Sequence, residues 1–360
     1  MDSWWTRPAR PATAAAAVTA AALVLGVAGC TDTPPPASTT AEQLASALSA
    51  GNLSDLTVTG AGAEGAAGEL DEVLAGMDGL RPQVTVAGHL PEAPDAEQEL
   101  TVDADATVVM ASVYKLPVLV TFCRAVDAGH LDPTAPVTLA PTSRTPGLTG
   151  IAAMSDPVTT SWRDLARSMI TVSDNAAGDA VLDAVGLPAI ATTLADLGLT
   201  ATRVTGGTRD THRQLVQDTG ELEVQAAYAR LADNAHVTHS RAFDPLLSSA
   251  TTARDMTRLL TAIWTDTAAS PAQCHFMREA LGQQIWPHRL ASGFAYPGVT
   301  VAGKTGTLGA LRHEVGVITH QHEAPVAVAV LTHAARADRH LPRVDATIGT
   351  TAHLAVTALR

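Results

Sequence analysis

Ala111-Ser112-Val113-Tyr114-Lys115 carries one of only two lysines in a chain of 360 residues. The other is Lys304, in Gly303-Lys304-Thr305-Gly306; the rest of the 23 basic residues are arginine. Arginine stays protonated, whereas lysine can lose its proton when desolvated or near another cation. The two lysines therefore stand where arginine will not serve. A spacing of three puts Ser112 and Lys115 on one face of a helix. Both fall in its first turn, where unpaired N–H groups favour negative charge. Ser112 then reads as a nucleophile whose own N–H can hold an oxyanion, and a neutral Lys115 as its base. By themselves the two residues also fit a capping serine and a solvent-facing lysine.

Outward from this pair, Leu116, Leu119, Val120, Cys123 and Val126 make the following helix apolar on most sides, so it is expected at the centre of the fold, ending at Gly129. Pro117 is tolerated only in a first turn. Ser161-Trp162-Arg163-Asp164 reads as a helix start, with Leu165, Met169 and Ile170 on the buried face. That helix ends at Ser173-Asp174-Asn175; others follow to Gly186 and over Pro188–Leu197. Residues 201 to 250 read as loop at first, then helix from Glu221 to Ala232. Thr252 to Asp255 caps a helix with Met256, Leu259, Leu260, Ile263 and Trp264 in the core. Alternation predicts strands over Gln83–Ala87 and Glu99–Val102, then Val299–Ala302, Val315–Thr319 and Val326–Leu331, with a helix near Val344–Ala358. Strands at both ends and helices between them imply one sheet built from both termini around a helical insertion.

At the N-terminus, Arg7 and Arg10 precede an apolar run from Thr13 to Ala28, too short to span a membrane comfortably and of signal-peptide form. It ends in Val27-Ala28-Gly29-Cys30, which resembles a bacterial lipobox. The resemblance implies cleavage before Cys30, lipidation of its sulfur and anchoring to the outer face of the cell membrane. Residues 1–29 are thus expected as a leader and 30–65 as a tether around Pro34-Pro35-Pro36, with one helix over Thr40–Ala50. A helix is expected over Glu69–Met77. Cys123 and Cys274 remain, as a pair or as two buried thiols. Hydrophobic residues make up 46% and allow a sizeable core; the net charge is −13. With no basic patch, nucleic acid is excluded as a partner.

Three motifs in order, Ser112-x-x-Lys115, Ser173-Asp174-Asn175 and Lys304-Thr305-Gly306, resemble those of the class A β-lactamases and related penicillin-binding proteins. Lys115-Leu116-Pro117-Val118, Met169-Ile170-Thr171-Val172 and Thr252-Ala253-Arg254-Asp255-Met256 also read like family segments. The resemblance covers roughly residues 66–360. It implies an α/β (α+β) fold: an antiparallel sheet flanked by helices, residues 66–111 and 266–360, with an all-helical lobe inserted over 112–265. It also implies roles. Ser112 would form the acyl-enzyme, Lys115 would hold or take its proton, and Ser173 would pass a proton to the leaving nitrogen. Asn175 would bind the substrate amide and steady Lys115. Lys304, Thr305 and Thr307 would bind the substrate carboxylate, and the N–H groups of Ser112 and Thr307 would form the oxyanion hole. Asp174 reads as a structural cap. Arg289 is either a further carboxylate support or an exposed arginine.

The match fails at one point. Class A β-lactamases carry a glutamate, within Glu-x-x-Leu-Asn, that activates the water releasing the acyl group. Thr202-Arg203-Val204 looks like the entry to that loop, which places the glutamate near Thr208. The chain reads Thr205-Gly206-Gly207-Thr208-Arg209-Asp210 instead. Asp210 is the nearest substitute; Glu221 and Glu223 read as an exposed helix face. There is no metal-ligating motif, His320-x-His322 reads as strand-end surface, and no cofactor is expected. The expected activity is opening of β-lactam rings through an acyl-enzyme on Ser112. The alternatives are a D-Ala-D-Ala peptidase or acyltransferase acting on cell-wall peptides, and a non-catalytic β-lactam-binding lipoprotein. The chain is expected to be monomeric.

Overall fold

A computed structural model describes residues 58–59, 83–89, 99–232, 240–334 and 341–359. The leader, Cys30, the tether and the helices expected over Thr40–Ala50 and Glu69–Met77 lie outside the described residues.

Strands β1 (Val58–Thr59), β2 (Gln83–His89), β3 (Leu100–Val102) and β4 (Val108–Val109) lead to a 3-10 turn at Ala111–Tyr114, which runs straight into helix α1 (Lys115–Asp127). A hairpin of β5 (Pro136–Leu139) and β6 (Val158–Ser161) follows, then helices α2 (Trp162–Thr171), α3 (Asn175–Val185), α4 (Leu187–Asp196), α5 (Thr208–Thr219) and α6 (Val224–Ala232). After β7 (Ala250–Thr251) come α7 (Ala253–Trp264) and α8 (Pro271–Gly282). The chain closes with β8 (Val299–Leu308), β9 (Leu311–His320), β10 (Val326–His333) and α9 (Pro342–Leu359).

The main sheet has the order β1-β3-β2-β10-β9-β8, every pair antiparallel. Early strands pair with late ones, through Val86↔Val330 among others, so the expected closure of the sheet by both ends is what forms. Successive side chains of a strand face opposite sides, and β10 buries both. Val326, Val328 and Val330 pack with Leu290, Ile318 and Ile348, on the face covered by α9. Ala327, Ala329 and Leu331 pack with Val315, Val317 and the helical layer. This two-sided burial is why the strand reads as a continuous apolar run. β8 is the edge strand, and its free side faces the Ser112 turn.

Helix α1 is central, as its apolar circumference predicts: Leu116, Val118, Leu119, Val120 and Cys123 have no exposed surface. Burial of each such side chain is worth up to ~1.5–3 kcal/mol. Helix starts are capped where the sequence indicates, by Ser161 Oγ accepting from Asp164 N (3.2 Å) and Thr252 Oγ1 accepting from Asp255 N (3.1 Å). Helix α8 packs on α1 and α2 as well as on β8. Its Cys274 and Cys123 of α1 are both buried free thiols.

Two details depart from expectation. The stretch after Gly207 is helix α5 and not loop, with α6 as its partner, beginning at Val224 and not at Glu221. Leu215 of α5 and Ala227 and Leu231 of α6 pack with Leu308 at the end of β8 and Leu311 at the start of β9. The pattern is faint because α5 buries only Leu215 and Thr219. His320 is buried, edge-on to Phe294 and hydrogen-bonded to Tyr296 (3.2 Å), and only His322 of that pair is on the surface turn.

Candidate active site

Ala111, just ahead of the nucleophile candidate, has φ of +45°. That region is costly for a residue with a Cβ, and it turns the chain so that Ser112 is presented between α1 and the edge strand. Gly306 of β8 fits flush against this turn: a Cβ there would stand 2.9 Å from both Met110 O and Val113 Cγ2. Among the described residues, the Ser112 hydroxyl has no side-chain hydrogen bond. It is half-buried and lines a cleft of about 910 Å³ with Ser173, Asn175, Thr305, Thr307 and Arg312.

Both lysines are fully buried behind this lining. Lys115 Nζ donates to the Ser173 carbonyl (2.7 Å), the Ser173 hydroxyl (3.3 Å) and Asn175 Oδ1 (3.0 Å). Lys304 Nζ donates to the same Ser173 hydroxyl (2.9 Å) and to Thr305 O (2.7 Å). One hydroxyl thus joins the two lysines. Burial pushes the Lys115 ammonium down to about 8, against the pull of Asp179 and Asp174. Burial first, and then the charge of Lys115, hold Lys304 well below its ordinary value. The repulsion is mutual, so a site without an anion favours one protonated lysine over two.

Ser173 has φ of +57°, and Asp174 behind it fixes that geometry. The buried Asp174 carboxylate accepts from Ile151 N (2.6 Å), Ala152 N (3.2 Å), Ser168 Oγ (2.9 Å), Ala176 N (3.0 Å) and Ala177 N (3.2 Å). It caps α3 and ties that cap to the 150–152 turn, the structural part read from the sequence. Asn175 is held at both ends, its Oδ1 by Lys115 and its Nδ2 donating to Pro146 O (3.1 Å).

A second buried carboxylate was not signalled by any motif. Asp179 lies one helical turn beyond Asn175 and accepts from Thr208 N (2.8 Å), Arg209 N (2.8 Å), the Thr145 hydroxyl and Tyr114 OH (3.4 Å). It therefore anchors the start of α5 from across the site. Burial raises its carboxyl, opposed by these hydrogen bonds. Gly207 permits the approach, since a Cβ would fall 1.9 Å from Asp179 Oδ1. The sequence signal was the i, i+4 spacing of Asn175 and Asp179.

Arg289 is not an exposed arginine: it is 3% exposed, paired with Asp345 (2.6 Å), and donates to Gly306 O (2.9 Å), His313 O (2.8 Å) and Thr307 Oγ1 (2.7 Å). It braces β8 and orients one proposed carboxylate-binding hydroxyl. Glu314, opposite Thr305 on β9, is also buried, and burial pushes it up to about 7. It accepts from Leu290 N (2.7 Å) and from Gln284, whose Oε1 takes Thr305 N (2.6 Å). Arg289 pairs with Asp345, 56 residues away, and Glu314 with Leu290 and Gln284, 24 and 30 residues away, which no local pattern reveals.

Thr208 occupies the place where a glutamate was expected. Its hydroxyl contacts Tyr114 OH (3.1 Å) and Asn175 Oδ1 (3.4 Å). Asp210 accepts from Gly207 N (3.0 Å) and Arg213 (3.3 Å), so it closes the start of its own helix and does not line the cavities around Ser112. Glu221 pairs with Arg230 (3.1 Å) at the surface.

An antiparallel sheet with a helical layer, a Ser-x-x-Lys turn facing a Lys-Thr-Gly edge strand and a Ser-Asp-Asn bend between them define the fold of class A β-lactamases and penicillin-binding proteins. The chain belongs to the beta-lactamase enzyme family, whose model matches residues 67–359. It is 30% identical over 261 residues to the beta-lactamase regulatory protein BlaB of Streptomyces cacaoi, covering 65% of this chain and 80% of that one. A beta-lactamase from Sphaerobacter thermophilus aligns with a TM-score of 0.60 and 23% identity, over 77% of this chain and 91% of the other. The penicillin-binding protein PBP-A aligns with a TM-score of 0.63 and 18% identity, over 89% and 96%.

Proposed function

We propose that this protein acylates Ser112 with β-lactam amides and hydrolyses the product. The observation that carries the reading is the Lys115–Ser173–Lys304 bridge beside an unbonded Ser112 hydroxyl in an open cleft. Lys304, Thr305 and Thr307 hold the substrate carboxylate, which restores the charge of Lys304 and favours a neutral Lys115. Neutral Lys115 takes the Ser112 proton as Oγ attacks the lactam carbonyl. The developing oxyanion rests on the N–H groups of Ser112 and Thr307. Ser173 delivers a proton to the leaving nitrogen, and the C–N bond breaks. The anchor at Cys30 is part of the same proposal and puts the site outside the cell membrane.

Intact mass spectrometry after a benzylpenicillin pulse tests this reading. A covalent adduct mapping to Ser112 is expected, absent in S112A. No adduct on folded wild type, under conditions that label a control enzyme, sinks it.

A second reading is a penicillin-binding peptidase or sensor whose adduct persists. Two observations favour it: the missing glutamate at Thr208, and likeness to a regulatory protein and to PBP-A, of which a mutant is known as an acyl-enzyme with penicillin G. The lifetime of the adduct in the same experiment separates the two.

A further inference from the structure

Beside Ser112, on the α5 side, lies a small recess of about 70 Å³ that shares Ser112, Asn175 and Thr307 with the main cleft. Its lining includes Ser112, Tyr114, Asn175, Thr208, His212 and Tyr228. The volume admits water, which needs upward of about 15 Å³ and several polar neighbours. Among the described residues, no aspartate or glutamate lines it. His212 follows Thr208 by one turn of α5. Its Nδ1 is closed to solvent and has no hydrogen-bond partner, so no neighbouring protein group fixes which ring nitrogen carries the proton. The ring is held edge-on to Tyr228, 6.0 Å between centroids at 90°.

We propose that His212 is the general base that frees Ser112, taking the place of the absent glutamate. The proposal rests on the acyl-enzyme reading above. A water in the small cavity gives its proton to the His212 imidazole while its oxygen attacks the ester carbonyl. The tetrahedral oxyanion sits on the Ser112 and Thr307 N–H groups. The bond from carbonyl carbon to Ser112 Oγ then breaks, and the imidazolium returns the proton to Oγ. No oxidant, metal or other reactant is consumed.

The other titratable groups around the ring do not compete. Burial raises the Tyr114 and Tyr228 hydroxyls, Tyr228 to about 12, so both stay protonated. Arg312, which borders a neighbouring groove with His212, is a permanent cation. Burial, helped by the charge of Lys115, pushes His212 down to about 4. It is therefore neutral at pH 7, able to accept a proton, and as weak a base as the carboxylate it replaces.

The test is release of the benzylpenicillin adduct from full-length protein, followed by intact mass. Wild type is expected to clear the adduct, H212Q to form it and clear it ~10²–10⁴-fold more slowly, and H212E to recover part of the rate. On wild type alone, acylation at pH 7 followed by a jump to acid should show release falling as pH drops through about 4. That fall should vanish in H212Q. Equal clearance by wild type and H212Q, release insensitive to acid, or a wild-type adduct that does not clear would each overturn the proposal while leaving acylation of Ser112 standing. No adduct on wild type would overturn the acyl-enzyme reading itself, and this proposal with it.

Discussion

Asp174→Ala is expected to be among the most damaging single substitutions near the site, though Asp174 touches no substrate. The carboxylate has no exposed surface and receives five hydrogen bonds, four of them from backbone N–H groups. Alanine leaves those four donors without an acceptor; the Ser168 hydroxyl can rotate to another partner. Losing the cap of α3 costs ~1 kcal/mol. Stranding the Ile151 and Ala152 N–H groups in the interior costs about 1–2 kcal/mol each. The total is about 3–5 kcal/mol, a large part of the ~5–15 kcal/mol that holds a typical domain together. The D174N substitution keeps the shape and one acceptor oxygen but turns an N–H₂ toward the Ile151 N–H, so it should lose about 2–3 kcal/mol. S168A removes one bond and should lose ~1 kcal/mol. Urea unfolding followed by far-UV circular dichroism measures the series, with S168A mildest and D174A most severe. A loss below about 1 kcal/mol for D174A would refute the reasoning, because it would mean that the orphaned donors find water at no cost.

Other outcomes follow from the same geometry. K115R should acylate at least ~10²-fold more slowly, because arginine cannot give up its proton, and should lose about 1–3 kcal/mol of stability from overpacking a buried site; pre-steady-state labelling of the folded variant with a fluorescent penicillin reads the rate. With Lys115 held near 8 and active when neutral, the acylation rate of wild type should rise with pH and level off above about 8, and a rate flat from pH 6 to 9 would remove Lys115 as the base. G207A drives a Cβ to within 1.9 Å of Asp179 Oδ1. It should cost about 1–3 kcal/mol and raise protease cutting within α5 and α6, seen by limited proteolysis. K304A should weaken binding of penicillins far more than that of analogues lacking the carboxylate, compared through the concentration dependence of acylation.

The framework was legible because burial and chemistry were written locally. Helix α1 shows its buried circumference in adjacent residues, the caps at Ser161 and Thr252 stand where their helices start, and β10 is an unbroken apolar run. The scarcity of lysine pointed to both walls of the cleft, and Lys115 and Lys304 do meet on one hydroxyl. What stayed hidden depends on partners distant in sequence. Asp179 reaches 29 residues to Thr208, Arg289 reaches 56 to Asp345, and Gln284 reaches 30 to Glu314. Helix α5 was missed because its polar residues carry so few buried positions, and with it went His212, whose neighbours are Tyr228 and the Ser112 cavity rather than its own flanks.

In the proposed reaction the bridging hydroxyl also sets the direction of proton flow. A serine hydroxyl has two acceptor positions and one proton. At Ser173 both acceptor positions are engaged, one by Lys115 Nζ and one by Lys304 Nζ. Once the substrate carboxylate has recharged Lys304 and Lys115 has taken the Ser112 proton, as proposed, both are ammoniums, which can only donate, so the Ser173 proton cannot point at either. It is directed away from them, and Ser173 lines the cleft. The hydroxyl is thereby preset as a donor to whatever basic atom arrives, which in the proposed reaction is the departing lactam nitrogen. When that proton leaves, the oxygen is flanked by two cationic donors that can refill it, and Lys115 holds the proton just taken from Ser112. The strained backbone at Ser173 and the five-bonded Asp174 behind it keep this oxygen between the two lysines. The proposed reaction calls for lysines rather than arginines here because at least one must be able to pass its proton on.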